Sequence, residues 1–304
     1  MKYDTIIIGG GPAGLTAGIY LSRAKMKVLI LDTGIAGGQM VLTHEIANYP
    51  GYESISGFML ATNMQNQAKK HGCEIKTNVR IESYELEGDS KKVVLTNGDT
   101  FEARSVILST GGRSREIGAK GENDFAGRGI SYCATCDGDF FQDREIIVVG
   151  GGNSALEEAV SLTTYASKVT IVHMLDDWQA FESAIKEMEE NPKIDYIMNT
   201  KITEFVGEQG LNHVVLENIK TGDKENMKIE GVFIFIGYVP NTEVFEGIVD
   251  LNKWGEIVTN EKFETSLKGV YAAGDNIHKS FRQVTTAVGD GTNAALYTLE
   301  YLNS

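Results

Sequence analysis

The chain opens on a run of apolar residues, Thr5-Ile6-Ile7-Ile8, and then changes period. Tyr3–Ile8 reads as a strand, Pro12–Ala24 as a helix and Lys27–Leu31 as a second strand. Phe58–His71 has helical spacing, and Arg80–Arg104 reads as a small antiparallel meander turned at Asn97-Gly98. Ser105–Leu108 returns as a buried strand. The opening pattern then repeats about 141 residues on: strand Glu145–Val149, amphipathic helix Ser154–Thr164, strand Lys168–Val172. Arg282–Leu302 reads as one helix close to the end of the sequence. Two copies of one strand–helix–strand unit predict an α/β protein with two Rossmann-like, three-layer nucleotide-binding domains.

Thr5–Ser22 carries no charge and is long enough to raise a membrane helix. Pro12 and the glycines inside it break the run into strand, turn and helix, so no membrane span is expected. No signal peptide is visible at Met1-Lys2-Tyr3-Asp4, and a cytoplasmic protein is expected.

Composition narrows the function. Over 304 residues, 28 Lys and Arg face 42 Asp and Glu, a formal charge of −14 that makes nucleic acid an unlikely partner. Three cysteines are too few for a disulfide-stapled scaffold, and 42% hydrophobic residues suffice for a sizeable core. Glycine is abundant (34) while proline is scarce (4), which points to tight turns beside ligands rather than to disorder.

Gly9-Gly10-Gly11-Pro12-Ala13-Gly14 fits G-x-G-x-x-G between a strand and a helix. Such a turn lets backbone N–H groups at a positive helix end approach a pyrophosphate. Asp32, 23 residues after Gly9 at the end of the next strand, supplies a carboxylate for ribose hydroxyls. The second turn, Gly150-Gly151-Gly152-Asn153-Ser154-Ala155, is a G-x-G-x-x-A variant whose equivalent offset falls on His173. Met174-Leu175-Asp176-Asp177-Trp178 follows, with neither an acid at the strand end for NAD nor an Arg for the 2′-phosphate of NADP. Two missing Arg contacts at about 1.5–3 kcal/mol each amount to roughly 3–6 kcal/mol. The second turn therefore keeps the shape of a pyridine-nucleotide site without its selecting residues.

Cys133-Ala134-Thr135-Cys136 lies between the turns. This spacing permits a small disulfide ring and a thiolate of lowered pKa. Zinc would need four ligands, and Cys73 is the remaining cysteine, so no metal site is expected. Asp137 follows directly and is a candidate proton shuttle, although a surface turn residue in Asp137-Gly138-Asp139 would look the same. Cys73 reads as a small buried apolar residue.

Together these residues resemble the low-molecular-weight thioredoxin reductase family. The stretches concerned are 9–14, 37–39, 48–51, 109–111, 133–137, 150–155, 237–241, 269–275 and 282–283, and they cover the chain in order. The Cys-Ala-Thr-Cys-Asp run is the specific one; the rest are shared with many flavin disulfide reductases. The resemblance implies the fold of those enzymes, with a discontinuous FAD-binding domain at 1–113 and 243–304 and an inserted NAD(P)H-like domain at 114–242. It implies FAD held by Gly9, Gly11, Pro12, Ala13, Gly14, Asp32, Gly38, Gln39, Asn48, Thr110 and Gly111, with Gly274, Asp275, Arg282 and Gln283 at the flavin. It further implies that Cys136 faces the flavin, Cys133 attacks the disulfide of thioredoxin, Asp137 is the acid, and the protein is a homodimer with a hinge near 111–118 and 238–243.

NADPH-dependent members carry His-Arg-Arg and a further Arg where this chain has His173-Met174-Leu175 and Asp177-Trp178-Gln179. The sequence looks more like the subgroup of ferredoxin-dependent flavin thioredoxin reductases, in which reduced ferredoxin is the electron donor. An NAD(P)H-dependent thioredoxin reductase, an oxygen-dependent dithiol oxidase and a flavin-binding redox sensor are the alternatives. An acidic ferredoxin would be repelled by −14 unless charge is segregated locally. Arg104, Arg113, Arg115, Lys120 and Arg128, with Lys279 and Arg282, are candidates for a basic patch, the alternative being scattered solvated charges.

Overall fold

The computed structural model describes residues 2–43 and 45–304. They form two compact units: Met1–Arg113 with Val239–Ser304, and Ser114–Tyr238.

The first unit is built on a seven-stranded sheet. Its strands are β1 (Lys2–Ile8), β2 (Val28–Leu31), β3 (Glu74–Lys76), β4 (Ile81–Glu85), β5 (Lys91–Leu95) and β6 (Thr100–Leu108), with the late strand Val270–Ala272 beside β6. β1 runs parallel between β2 and β6, with Ile7 opposite Ile30 and Ile107. Alternation along these strands splits the apolar residues between two faces. Ile7, Ile30 and Ile107 join the core under helices α1 (Pro12–Arg23) and α2 (Gly57–Lys70) and the C-terminal helix Val284–Asn303. Ile6, Ile8, Leu29 and Leu31 join the opposite core with Phe245, Val249 and Ile257. The Ser105–Leu108 strand predicted from sequence is the second half of β6, which is continuous from Thr100. Its first half pairs antiparallel with β5 and its second half parallel with Val270–Ala272.

β7 (Gly112–Ser114) pairs with Tyr238–Pro240, the two segments in which the chain passes between units. In the second unit, β8 (Ile130–Ser131), β9 (Glu145–Val149), β10 (Lys168–Val172), β11 (Ile194–Ile197) and the strand Gly231–Ile234 make a five-stranded parallel sheet. Helices α3 (Glu122–Phe125), α4 (Ala134–Asp137), α5 (Asn153–Leu162) and α6 (Glu182–Glu189) accompany it. Ile146, Val148, Val169 and Ile171 face α5 and α6, while Ile147, Val149 and Val172 face a three-stranded antiparallel sheet spanning 200–228. Each unit is thus layered around a sheet with parallel central strands, wholly parallel in the second unit and mixed in the first, and has a glycine turn at the end of its first long strand. Among the described residues no helix is long and apolar enough to cross a membrane.

Candidate functional site

In the first unit, three of the four glycines of the opening turn have three different surroundings. Gly9 takes φ +102°, a left-handed conformation that a side chain resists, where the strand breaks into the turn. At Gly14 an added Cβ would overlap the Gly9 carbonyl and lie 2.7 Å from Ser109 Oγ, so helix and strand meet there too closely for any side chain. At Gly11 an added Cβ would meet nothing nearer than Gly38 Cα at 3.9 Å. The backbone at Gly11 is therefore bare towards open space, at the head of a helix with no side-chain cap and with Pro12 in its first turn. Open approach, unsatisfied N–H groups and the dipole of a twelve-residue helix suit a pyrophosphate.

Of the other predicted residues of this unit, Asp32, Gly38 and Gly274 lie against the turn and the start of α1, and the rest have other neighbours. Asp32 Oδ2 accepts from Gly10 N at 2.6 Å and Oδ1 from Gly34 N at 2.7 Å, which orients the carboxylate beside the turn. Gly38, at φ +59°, would carry a Cβ 3.1 Å from Gly11 Cα, and Gln39 follows it, exposed, on a 3₁₀ turn. Ala13 stands under Gly274, where an added Cβ would come within 2.9 Å of it. Thr110 Oγ1 donates to Asn241 O (2.6 Å), and Asn241 Nδ2 returns a bond to Thr110 O (3.0 Å), beside Gly111 at φ +60°. Asp275 Oδ1 is buried without a hydrogen-bond partner among the described residues, 3.7 Å from the Lys279 ammonium. Burial pushes its carboxyl up, against the charges of Lys279 and Arg282. Gln283 caps the C-terminal helix through a reciprocal bond with Thr286, and its Oε1 accepts from Asn48 Nδ2 at 3.3 Å. The open cradle at Gly11 and the orphaned Asp275 oxygen fit a dinucleotide with polar groups at both ends.

Sequence reasoning missed Glu256. It is buried, and accepts from Arg282, from His278 Nδ1 (2.8 Å) and from Asn252 Nδ2 (2.7 Å), which fixes the arginine beside Gln283. Ser109, which the sequence offers only within the stretch 109–111, donates its hydroxyl towards Ile8 O and Gly9 O and closes the strand ends under the turn. No spacing rule connects these partners.

In the second unit, Cys133 and Cys136 are joined in a disulfide, with Cα atoms 5.3 Å apart, across the start of α4. Both are half-buried. Asp137 ends the same helical turn, and its N–H donates to Cys133 O at 3.2 Å. Burial raises its pKa, the Ser131 hydroxyl at 2.5 Å opposes that, and Asp139 adds a further rise. A carboxyl held towards its neutral form one residue from a redox cysteine is suited to proton transfer.

The second glycine turn repeats the backbone of the first, with Gly150 at φ +143°. Its surroundings differ. Gly151 lies against the buried imidazole of His173, which stacks on Trp178 with centroids 5.4 Å apart. Gln179 N donates to Gly151 O (2.8 Å), and Phe181 N donates to Asn153 Oδ1 (2.7 Å). Met174 and Leu175 are exposed just past the strand end, and Asp176 is paired with Lys220. No Lys or Arg occurs from His173 to Phe181.

The cations considered for a basic patch are largely engaged within their own units. Arg113 bonds Asn241 Oδ1 at 2.6 Å and pairs with Glu243, Lys120 pairs with Glu204 at 2.7 Å, and Lys279 pairs with Asp290. Arg282 pairs with Glu256, Arg104 donates to Leu302 O at 2.7 Å, and Arg128 donates to Asp124 O.

The chain matches a family model described as pyridine nucleotide-disulphide oxidoreductase over residues 3–291. It is 44% identical over 301 residues to a thioredoxin reductase of Bacillus subtilis (strain 168), covering 99% of this chain and 95% of the relative. It is 43% identical to a 34.2 kDa protein in the rubredoxin operon of Clostridium pasteurianum, covering 99% and 97%. The crystal structure of thioredoxin reductase from Streptococcus pyogenes MGAS5005 superposes with a TM-score of 0.95 at 41% identity, covering 99% of this chain and 98% of that one. Thioredoxin reductases of this family bind FAD. The protein belongs to the low-molecular-weight thioredoxin reductases of the pyridine nucleotide-disulphide oxidoreductase family.

Proposed function

We propose that this protein is a cytoplasmic, homodimeric flavoprotein thioredoxin reductase that takes its electrons from reduced ferredoxin and passes them through the Cys133–Cys136 pair to thioredoxin. The observation that carries the choice of donor is the second turn. The segment that would read a 2′-phosphate presents Met174, Leu175, Asp176 and Asp177, and the cation beside it, Lys220, is spent on Asp176. The name of the Clostridium pasteurianum relative, taken from a rubredoxin operon, agrees with a one-electron protein donor.

FAD, when bound, supplies the reducing equivalents for the disulfide and accepts electrons singly or in pairs. Gly11 and the N-terminus of α1 would hold its pyrophosphate, Asp32 its ribose hydroxyls, and Asp275 and Gln283 the flavin end. Once the pair is reduced, the Cys133 thiolate attacks the disulfide of thioredoxin. Asp137 gives its proton to the departing sulfur. It recovers one from the Cys136 thiol, which attacks Cys133, restores the intramolecular disulfide and expels the second thioredoxin sulfur. That sulfur is protonated by water, so two electrons and two protons reach thioredoxin.

A second reading, NADPH as donor, is favoured by the intact backbone of the second turn and by the thioredoxin reductases among the relatives. The two readings separate in one anaerobic experiment on the holoenzyme. Reduced ferredoxin is expected to bleach the flavin and sustain thioredoxin reduction, while micromolar NADPH or NADH leaves the flavin oxidised. Rapid bleaching by NADPH would reverse the assignment.

A further inference from the structure

Ser131 lies at the end of β8, opposite Phe233 in the sheet, and is 4% exposed. Its hydroxyl oxygen accepts from Cys133 N at 3.1 Å and sits between two acceptors, Asp137 Oδ2 at 2.5 Å and Cys133 O at 3.3 Å. A hydroxyl has one proton and two lone pairs, so it donates to one of those oxygens at a time. We propose that Ser131 is a positioning residue for the acid: its single proton turns between Asp137 and the Cys133 carbonyl, and so holds the carboxyl in place in both protonation states.

When Asp137 is ionised, the Ser131 proton goes to Oδ2, the shorter, charge-assisted bond. When Asp137 is protonated, its own O–H donates to Ser131 Oγ and the serine proton turns to Cys133 O. Oγ then accepts twice, from Asp137 and from Cys133 N, and both lone pairs are used. Every donor of the cluster has an acceptor before and after proton transfer, and no heavy atom has to move. An unmatched buried donor would disfavour one of the two states. The Cys133 amide and carbonyl both belong to this cluster, so the same hydroxyl ties the acid to the backbone of the attacking cysteine. Around Asp137, the acting charge is Asp139 on the following turn. α5, packed against α4, brings Glu157 and Glu158, which act on one another, and the Tyr165 ring lies against Gly138.

This inference rests on reading Asp137 as the acid, and the test keeps the two apart. In the oxidised holoenzyme, the protonated-carboxyl infrared band of Asp137 is titrated against pH, with Asp137→Asn as the blank. Ser131→Ala removes the donor to the ionised form, so the midpoint is expected to move up by roughly one pH unit. Thioredoxin turnover is expected to fall about tenfold, with kcat reduced and KM for thioredoxin unchanged. Ser131→Thr, which keeps the hydroxyl, is expected to restore the midpoint. An unshifted midpoint in Ser131→Ala, or a shift that Ser131→Thr fails to repair, overturns the proposal. If Asp137→Asn keeps full turnover, it is the acid assignment that fails, whatever the titration shows.

Discussion

If the second turn has lost only its selecting residues, a nicotinamide preference can be written back into it. Met174 and Leu175 are 55% and 47% exposed, directly after His173, so longer polar side chains fit there without disturbing the core. The double substitution Met174→Arg, Leu175→Arg supplies two guanidinium groups to a 2′-phosphate. A charge-assisted hydrogen bond contributes about 1.5–3 kcal/mol, and exposure to water brings these two to roughly 2–4 kcal/mol together. At 1.4 kcal/mol per decade this is roughly a 30-fold to several-hundred-fold gain in affinity for NADPH over NADH. The assay is anaerobic titration of both nucleotides against parent and variant, followed by calorimetry, at low and at moderate salt. The parent is expected to bind both weakly and without discrimination. The variant is expected to prefer NADPH, and the preference should shrink with salt. Tight NADPH binding by the parent would refute the reasoning. So would a folded variant with no new preference, because the obstacle would then lie in the packing of His173 and Gln179 over the turn.

Three other outcomes follow from the geometry. Gly14→Ala forces a methyl group against Ser109 Oγ and the Gly9 carbonyl and should destabilise even the apoprotein by about 1–3 kcal/mol, whereas Gly11→Ala should leave apoprotein stability unchanged and lower flavin content; denaturant melts and absorbance ratios separate the two. Burial pushes the Cys73 thiol up to about 12, so after reduction of the active disulfide a thiol reagent at pH 8 should react fast with two thiols and reach the third only in denaturant. Burial works against the Glu256 carboxylate, but hydrogen bonds from Asn252 and His278 and the Arg282 charge outweigh it and hold its pKa below the ordinary 4.5. Its stabilising contribution is therefore full above pH 4.5 and lost as pH falls through the lower folded value; Glu256→Gln should flatten that part of the acid melt and cost roughly 2–3 kcal/mol near neutrality.

The sequence carried most of the framework because strand, glycine turn and helix are locally encoded. β1 with α1, and β9 with α5, stand within a residue or two of their predicted bounds. The split of β6 was misread because its two halves serve different neighbours, which changes their polarity midway. The C-terminal helix starts at Val284 rather than Arg282 because Gln283 acts as its cap, paired with Thr286 three residues on in a local capping box whose Gln and Thr stand in the reverse of the usual order. Charge pairing was the least legible feature. Arg282 with Glu256, Lys120 with Glu204 and Arg113 with Asn241 join residues far apart in sequence, so a count of local charges could not show that they are engaged. Ser131 and Asp137 are only six residues apart, yet their contact depends on the strand end and α4 folding back on each other.

The interrupted layout of the first unit also orders the birth of the molecule. α1 is made early, but a main wall of its core, the helix Val284–Asn303, is made only after the whole inserted unit, and Gly291 is the point where that helix lies against Ala13. On the ribosome, the core around Ile7, Leu15 and Ile19 must wait partly uncovered until that helix has emerged. The inserted unit, contiguous in sequence, meets no such delay and can complete its sheet first. A nascent chain released before Val284 would hold a finished disulfide unit on an unfinished cofactor unit. The period of greatest exposure to aggregation therefore ends only with the twenty-residue helix Val284–Asn303.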